Sequence, residues 1–145
     1  MEIGIVLRNA GPAAHRDNFI DCAQAAEHAG FDTLWLFDHI AIAPDQAEGS
    51  DGIYYDALAT LSFLAGCTER IGLRTGVLIL PYRPALLTAK WLATLQSVSN
   101  NRLQLGVGVG WMASATAVPN RHPCSARWWA GTADMSADAP STAVQ

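Results

Sequence analysis

This 145-residue sequence has few charged residues, few cysteines and no long hydrophobic segment. Only 15% of its residues are charged whereas 50% are hydrophobic, a composition that argues against intrinsic disorder and predicts a packed core. The net charge of -4 comes from scattered acids, and no stretch interleaves basic with aromatic residues. We therefore expect one globular domain that does not bind nucleic acid.

The three cysteines, Cys22, Cys67 and Cys124, are not closely spaced. Neither a disulfide framework nor a zinc knuckle is indicated, so we expect no metal site and predict reduced, mostly buried thiols. The amino terminus lacks the basic region of a signal peptide, and its apolar run is too short to span a membrane. We expect a cytoplasmic protein with no membrane partner.

Short apolar runs alternate with stretches of helical periodicity along the chain. The apolar runs predict strands over residues 3–7, 33–37, 71–80 and 103–109. The periodic stretches predict helices over about residues 13–29, from a cap at Asp56 to about Thr68, and from Pro84 to Val98. A strand-helix repeat of roughly thirty residues predicts a parallel sheet with helical crossovers, either doubly wound or a (β/α)8 barrel.

The helical stretches predict which side chains face the core. In the first helix Phe19, Ala23 and Ala26 recur at spacings of three and four, and Gly30 stands where the helix should end. In the second helix the corresponding residues are Leu58, Leu61 and Ala65.

Asp38 and His39 follow the second predicted strand directly. Ligands of parallel α/β folds bind at the carboxyl ends of the strands, so this pair stands where chemistry is expected. An imidazole exchanges a proton near neutral pH, and an adjacent carboxylate tunes that exchange. The alternative is structural, with Asp38 capping the next turn and His39 a satisfied polar residue at a loop entrance.

An interior glycine of the third predicted strand and a long loop after the second also indicate a possible site. Gly76 interrupts the third strand, which indicates a bulge or a close approach of the backbone to a ligand. Residues 40–54, which include Pro44, form an unusually long loop that is expected to cover or line a site.

The glycine-rich segment from Gly106 to Gly110 does not favour a dinucleotide site. A dinucleotide fingerprint needs a third glycine opening a capped helix, whereas these glycines lie within and at the end of the fourth predicted strand.

The character of the sequence changes after Trp111. Residues 112–145 contain no Leu, Ile or Phe and keep neither strand nor helix periodicity. We therefore divide the chain into a folded region, residues 1–111, and an irregular or disordered tail, residues 112–145.

Four segments of the folded region resemble the bacterial luciferase-like monooxygenase superfamily, and within it the oxidoreductases that depend on the deazaflavin coenzyme F420. They are residues 26–35 with Asp38-His39-Ile40, residues 68–77 running into Leu80-Pro81-Tyr82-Arg83, residues 89–95, and residues 102–111. The resemblance covers residues 1 to about 112. It implies the first four βα units of a TIM (β/α)8 barrel.

The resemblance also implies roles for individual residues. His39 is expected to be catalytic, handling a proton or orienting the ring during hydride transfer, and Asp38 to position His39 or the cofactor. Family members often have a non-prolyl cis peptide at the third strand, which maps to Gly76-Val77. The expected cofactor-binding residues are Asp38, His39, Thr75, Gly76, Val77, Gly108 and Gly110, and Asn9 is a candidate on the substrate side.

The implied activity is F420-dependent hydride transfer to an unknown small organic substrate. The alternatives are an FMN-dependent monooxygenase that uses molecular oxygen and a non-catalytic or inactive half-barrel. A complete barrel typically has about 250 residues, so roughly half is expected to be missing, by truncation or a frameshift in a longer gene. Such a fragment should not complete catalysis, and its open sheet edges make a homo-oligomer possible.

Overall fold

A computed structural model describes residues 1–40, 42, 47 and 49–110 of the chain. The predictions for Pro44, Trp111, Cys124 and the tail lie outside these residues. The strands are β1 (Gly4–Val6), β2 (Thr33–Leu36), β3 (Gly72–Ile79) and β4 (Leu103–Gly108), and the helices are α1 (Arg16–His28), α2 (Ala57–Ala65) and α3 (Ala85–Val98). These bounds confirm the predicted alternation to within a few residues at each end. A short 3-10 helix at Leu80–Tyr82 was not predicted.

The four strands form one parallel sheet in the order β1-β2-β3-β4. Right-handed crossovers between successive neighbouring strands put all helices on the same face of the sheet. A doubly wound sheet instead reverses its strand order and carries helices on both faces. The observed order therefore has the winding of a TIM barrel, which confirms the predicted fold class of a partial (β/α)8 barrel.

The core lies between the sheet and the helices. Phe19, Ala23 and Ala26 of α1 are buried there, as predicted from their spacing, and they pack in one cluster with Leu34 and Leu36 of β2. Because side chains alternate along a strand, Trp35 points to the opposite face, which we call the open face. The guanidinium of Arg74 lies 5.2 Å from the Trp35 ring on this face.

Helix ends follow the predicted capping chemistry. Asp56 caps α2, because its Oδ1 accepts a 2.8 Å hydrogen bond from the amide of Ala59. Gly30 follows α1 with φ of +83°, a conformation that residues with a side chain rarely adopt.

The interior glycine of β3 marks an irregularity, as predicted. The pairing of β3 with β4 shifts register between Thr75 and Leu78, and the peptide bond between Gly76 and Val77 is cis. Gly76 is required here because a Cβ atom would lie 2.9 Å from the Trp35 ring.

The prediction that the cysteines are mostly buried is wrong for Cys22, which is exposed, and Cys67 is only partly buried. Cys22 lies beside the buried stripe of α1 rather than on it, since Phe19, Ala23 and Ala26 fill the contact with the core.

Large apolar side chains are exposed at the β4 side of the molecule. Leu105, Val107 and Val109 are 41%, 53% and 73% exposed, and Leu87 and Val98 of α3 are also exposed. Among the described residues, no helix is both long enough and apolar enough to cross a membrane.

The turn between α2 and β3 is held by one carboxylate from α1. Oε1 of Glu27 accepts hydrogen bonds from the backbone amides of Glu69, Arg70 and Ile71. Burial acts to raise the pKa of Glu27, but these amides and the charge of Arg70 outweigh it, so the pKa is lowered.

Glu27→Gln is expected to destabilise the chain by about 1 kcal/mol at pH 7, because charge-assisted hydrogen bonds become weaker neutral ones. A depressed carboxyl pKa stabilises the fold above the unfolded-state value near 4.5 and loses that contribution as the pH falls through the folded-state pKa. Urea unfolding at several pH values should therefore show a difference that disappears in acid. A pH-independent difference would contradict this role for the Glu27 charge.

Candidate functional site at the carboxyl edge of the sheet

The carboxyl ends of the four strands share one edge of the sheet, because the strands are parallel. Most of the predicted site residues lie along this edge. Asn9 follows β1, Asp38 and His39 follow β2, and Gly110 follows β4, while Gly108 is the last residue of β4.

Asn9 joins three backbone segments at this edge. Its side chain is buried and donates 2.8 Å hydrogen bonds to the carbonyls of Phe37 and Tyr55, and its Oδ1 accepts from the Phe37 amide at 3.3 Å. These bonds hold the loop before α2 against the ends of β1 and β2. A direct contact between Asn9 and a substrate stays a prediction.

Asp38 forms a buried ion pair with Arg83. The Asp38 side chain is 1% exposed, and its Oδ1 accepts a 2.6 Å hydrogen bond from Nη2 of Arg83. Oδ2 accepts from the amide of Ile79 at 2.9 Å and from Nε of Arg83 at 3.3 Å. The carboxylate is therefore positioned by the end of β3 and the residues after it, and it presents almost no surface to a ligand.

Arg83 also binds a second carboxylate, that of Asp56, at 2.7 Å. Burial acts to lower the pKa of Arg83, but the hydrogen bonds to Asp38 and Asp56 outweigh it and raise that pKa. The guanidinium therefore stays charged, and this one cation binds two carboxylates at the carboxyl edge of the sheet.

His39 is partly buried beside this network. Its ring meets the Tyr54 ring edge-on at 5.7 Å between centroids and lies 6.3 Å from the Phe37 ring. Burial lowers the pKa of His39, and the negative charge of Asp38 partly opposes that shift. The imidazole is therefore neutral at pH 7, the state that can accept a proton or donate a single N–H.

The predicted residues of β3 have different surroundings. Thr75 is fully buried, and its hydroxyl donates a 2.9 Å hydrogen bond to the carbonyl of Gly106, so it strengthens the β3-β4 pairing. Val77 is 42% exposed at the bulge. Contact of Val77 with a ligand is sterically open, whereas contact of the Thr75 side chain would need rearrangement and stays a prediction.

The two glycines of β4 make room for parts of β3. A Cβ atom on Gly108 would lie 2.8 Å from Cγ2 of Val77, whereas one on Gly106 would lie 2.5 Å from the carbonyl oxygen of Thr75. The absent side chain of Gly108 thus allows Val77 to lie over the end of β4, so a ring approaching here would meet Val77 first. Contact of Gly108 with a cofactor stays a prediction.

Gly110 lies beside Tyr82. A Cβ atom on Gly110 would be 3.6 Å from the Tyr82 hydroxyl, which is inaccessible to solvent and has no hydrogen-bond partner within residues 1–40, 42, 47 and 49–110. Burial, together with the negative charge of Asp38, raises the pKa of Tyr82.

Sequence reasoning missed Arg83 and Tyr54 as parts of this site. Arg83 was noticed only within the motif Leu80-Pro81-Tyr82-Arg83, although a lone arginine after one strand and acids after its neighbour could have suggested the pair. Tyr54 was treated as the end of a loop. In the described part of the chain, no three His, Cys, Asp or Glu residues come together as metal ligands.

Comparisons with known proteins identify a family and a shared fold. The family model described as luciferase-like monooxygenase matches residues 1–127, which includes the first part of the segment assigned to the tail. The chain is 35% identical over 106 residues to F420-dependent glucose-6-phosphate dehydrogenase of Amycolatopsis mediterranei (strain U-32). That match covers 72% of this chain but only 30% of the enzyme, so the chain spans less than a third of its length.

Solved structures show the same fold. The coenzyme F420-dependent tetrahydromethanopterin reductase of Methanopyrus kandleri superposes with a TM-score of 0.63 at 26% identity, covering 82% of this chain and 30% of that one. The oxygenating constituent of 3,6-diketocamphane monooxygenase from Pseudomonas putida, in complex with FMN, has a TM-score of 0.65 at 20% identity, covering 83% and 33%. At that identity the second likeness concerns the fold alone.

Proposed function

This chain belongs to the luciferase-like monooxygenase family, and we propose that it forms the ring-binding half of an F420-dependent oxidoreductase. The reaction would be hydride transfer between the deazaflavin and a small organic substrate. The relative at 35% identity and the reductase at 26% identity, both named as F420-dependent, support F420 over FMN.

The observation that carries this proposal is the position of His39. A neutral, half-buried imidazole lies at the carboxyl edge of the sheet, directly after an aspartate that a buried arginine holds in place. Ligands of parallel sheets bind at this edge.

Exposed apolar side chains near the carboxyl ends of β2 and β3 suit a planar, largely apolar ring. Phe37 and Val77 are 41% and 42% exposed, although each is large and apolar. A ring that covered both would remove apolar surface from water, while His39 would supply a polar contact at its margin. On this account Phe37, His39 and Val77 would contact the cofactor, and Asp38 would act through His39.

The deazaflavin, when bound, supplies or accepts the hydride. The chain's own contribution is to exclude water and to manage a proton. A neutral His39 can accept a proton from a hydroxyl that is being oxidised, or donate its N–H to the carbonyl oxygen of the product. Asp38 stabilises a positive charge that develops on the imidazole, while Arg83 keeps that carboxylate fixed.

Fluorescence titrations of the protein with F420 and, separately, with FMN test the proposal. We expect F420 to bind more tightly than FMN, and we expect His39→Asn to weaken F420 binding only slightly, because the exposed apolar surfaces of Phe37 and Val77 are kept. Tight FMN binding without detectable F420 binding would instead indicate an FMN-dependent monooxygenase.

A further inference from the structure

Arg83 joins carboxylates from two separate parts of the chain. Its Nη2 lies 2.6 Å from Oδ1 of Asp38, after β2, and 2.7 Å from Oδ2 of Asp56, which caps α2. The side chains of Arg83, Asp38 and Asp56 are 10%, 1% and 38% exposed, so the centre of the network is shielded from water. Hydrogen bonds between ions at such distances are strong and directional.

Each carboxylate is also bound to a backbone amide. Asp38 accepts from Ile79 at the end of β3, and Asp56 accepts from Ala59 in the first turn of α2. The network therefore fixes the end of β2, the end of β3 and the start of α2 relative to one another.

His39 lies between two segments that end on this network. On one side His39 directly follows Asp38 in the chain, and on the other its ring packs against Tyr54, two residues before Asp56. Among the described residues, no hydrogen bond is made by the His39 ring. Within residues 1–40, 42, 47 and 49–110, its position therefore depends on packing and on the backbone segments at either side.

We propose that Arg83 is a positioning residue, which holds Asp38 and Asp56 together and so keeps the His39 imidazole in place beside the ligand. The position of the imidazole beside a ligand rests on the proposed function, whereas the effect of Arg83 on the position of the imidazole does not. A guanidinium is needed because its planar fork reaches both carboxylates at once, and a lysine ammonium offers no such fixed geometry.

A purely structural ion cluster would make a different prediction. It would change the stability of the whole chain but leave the His39 ring unaltered in molecules that remain folded. A positioning role predicts a local change at His39 while the core stays native.

Arg83→Lys in the full 145-residue chain separates these roles, because it keeps the charge and removes the fork. The four histidines can be followed by NMR of their ring carbons and protons, with His39 assigned from its loss in His39→Asn. The groups around His39 that also titrate or carry charge are Asp38, Tyr54, Asp56, Tyr82 and Arg83, from the β2 end, the start of α2 and the β3 end.

In Arg83→Lys we expect the His39 ring signals to shift and its pKa to rise toward 6.5, because the ring leaves a partly buried position that lowers it. The methyl signals of Leu36 and Leu73 in the core should stay unchanged. Arg16→Lys is the matched control, since Arg16 is 72% exposed on α1 and should leave His39 as it is. Unchanged His39 signals and pKa in folded Arg83→Lys would overturn the proposal.

Asp56→Asn provides a milder variant if Arg83→Lys does not fold. Asparagine keeps the cap of α2 but removes the charge that binds Arg83. We expect the same direction of change at His39, smaller in size, and no change would again overturn the proposal. The experiment uses no cofactor, so failure of F420 to bind would contradict the proposed function and leave this result standing.

Discussion

Arg102→Met is expected to lower the free energy of unfolding strongly. All five N–H groups of the Arg102 guanidinium donate hydrogen bonds, over 2.7 to 3.0 Å, to Ser99 O, to Thr68 Oγ1 and O, to Ile71 O and to Ala65 O. The side chain thereby links the end of α2 to the starts of β3 and β4. Methionine fills similar volume but leaves these acceptors without a donor.

We expect a loss of about 3 to 5 kcal/mol for Arg102→Met, which is a large part of the stability of a small domain. Urea unfolding followed by circular dichroism measures it. Arg16→Met is the control, because the pair of Arg16 with Asp17 is exposed and should contribute little. A loss below about 1 kcal/mol for Arg102→Met would contradict the stabilising role of these hydrogen bonds.

His39→Asn is expected to lower F420-dependent turnover by about 10²-fold or more, the usual scale for removing a general acid or base. Asparagine can still form a hydrogen bond but cannot exchange a proton near neutral pH. The test needs a preparation that contains the whole barrel, because this chain spans less than a third of its F420-dependent relative.

His28→Asn is the matched control for His39→Asn. His28 lies exposed at the end of α1, and its ring contacts only the carbonyl of Gln24 among the hydrogen bonds of the described residues. Turnover should be unchanged in this variant. Equal turnover in His39→Asn and the unaltered protein would reduce His39 to a structural residue.

The pH dependence follows from the direction of the His39 shift. Burial lowers the pKa of His39, so the ring stays neutral from pH 8 down past its ordinary value near 6.5. If a neutral ring is the active form, kcat/KM should hold constant across that range and fall only below it. An activity that rises as the pH falls through 6.5 would instead require a protonated ring.

The elements of the fold could be predicted because short-range patterns determine them. The alternation of apolar strands with helical periodicity is local, and so are the caps at Asp56 and Gly30. The choice between a doubly wound sheet and a barrel is not local, because it depends on which strands pair. In the sequence, only the family resemblance indicated the barrel, and the strand order then confirmed it.

The site was predicted less completely, because its contacts join residues that are distant in sequence. Asp38 was recognised from its place after β2, but its partner Arg83 is 45 residues away, and no periodicity links them. Likewise, Gly108 was assigned to the cofactor, but no pattern in the sequence indicated that Val77 of β3 would lie against it. Residues could thus be assigned to an edge of the sheet but not to their partners.

Chemical-shift mapping of this chain with oxidised F420 tests the central claim most directly, since it locates the ligand without requiring turnover. Our account predicts that the amide signals of Phe37, His39 and Val77 shift on addition of excess cofactor. Those of Thr33 and Gly72, at the opposite edge of the sheet, should not. Shifts at the opposite edge or on the outer helices, or no shifts at all, would contradict it.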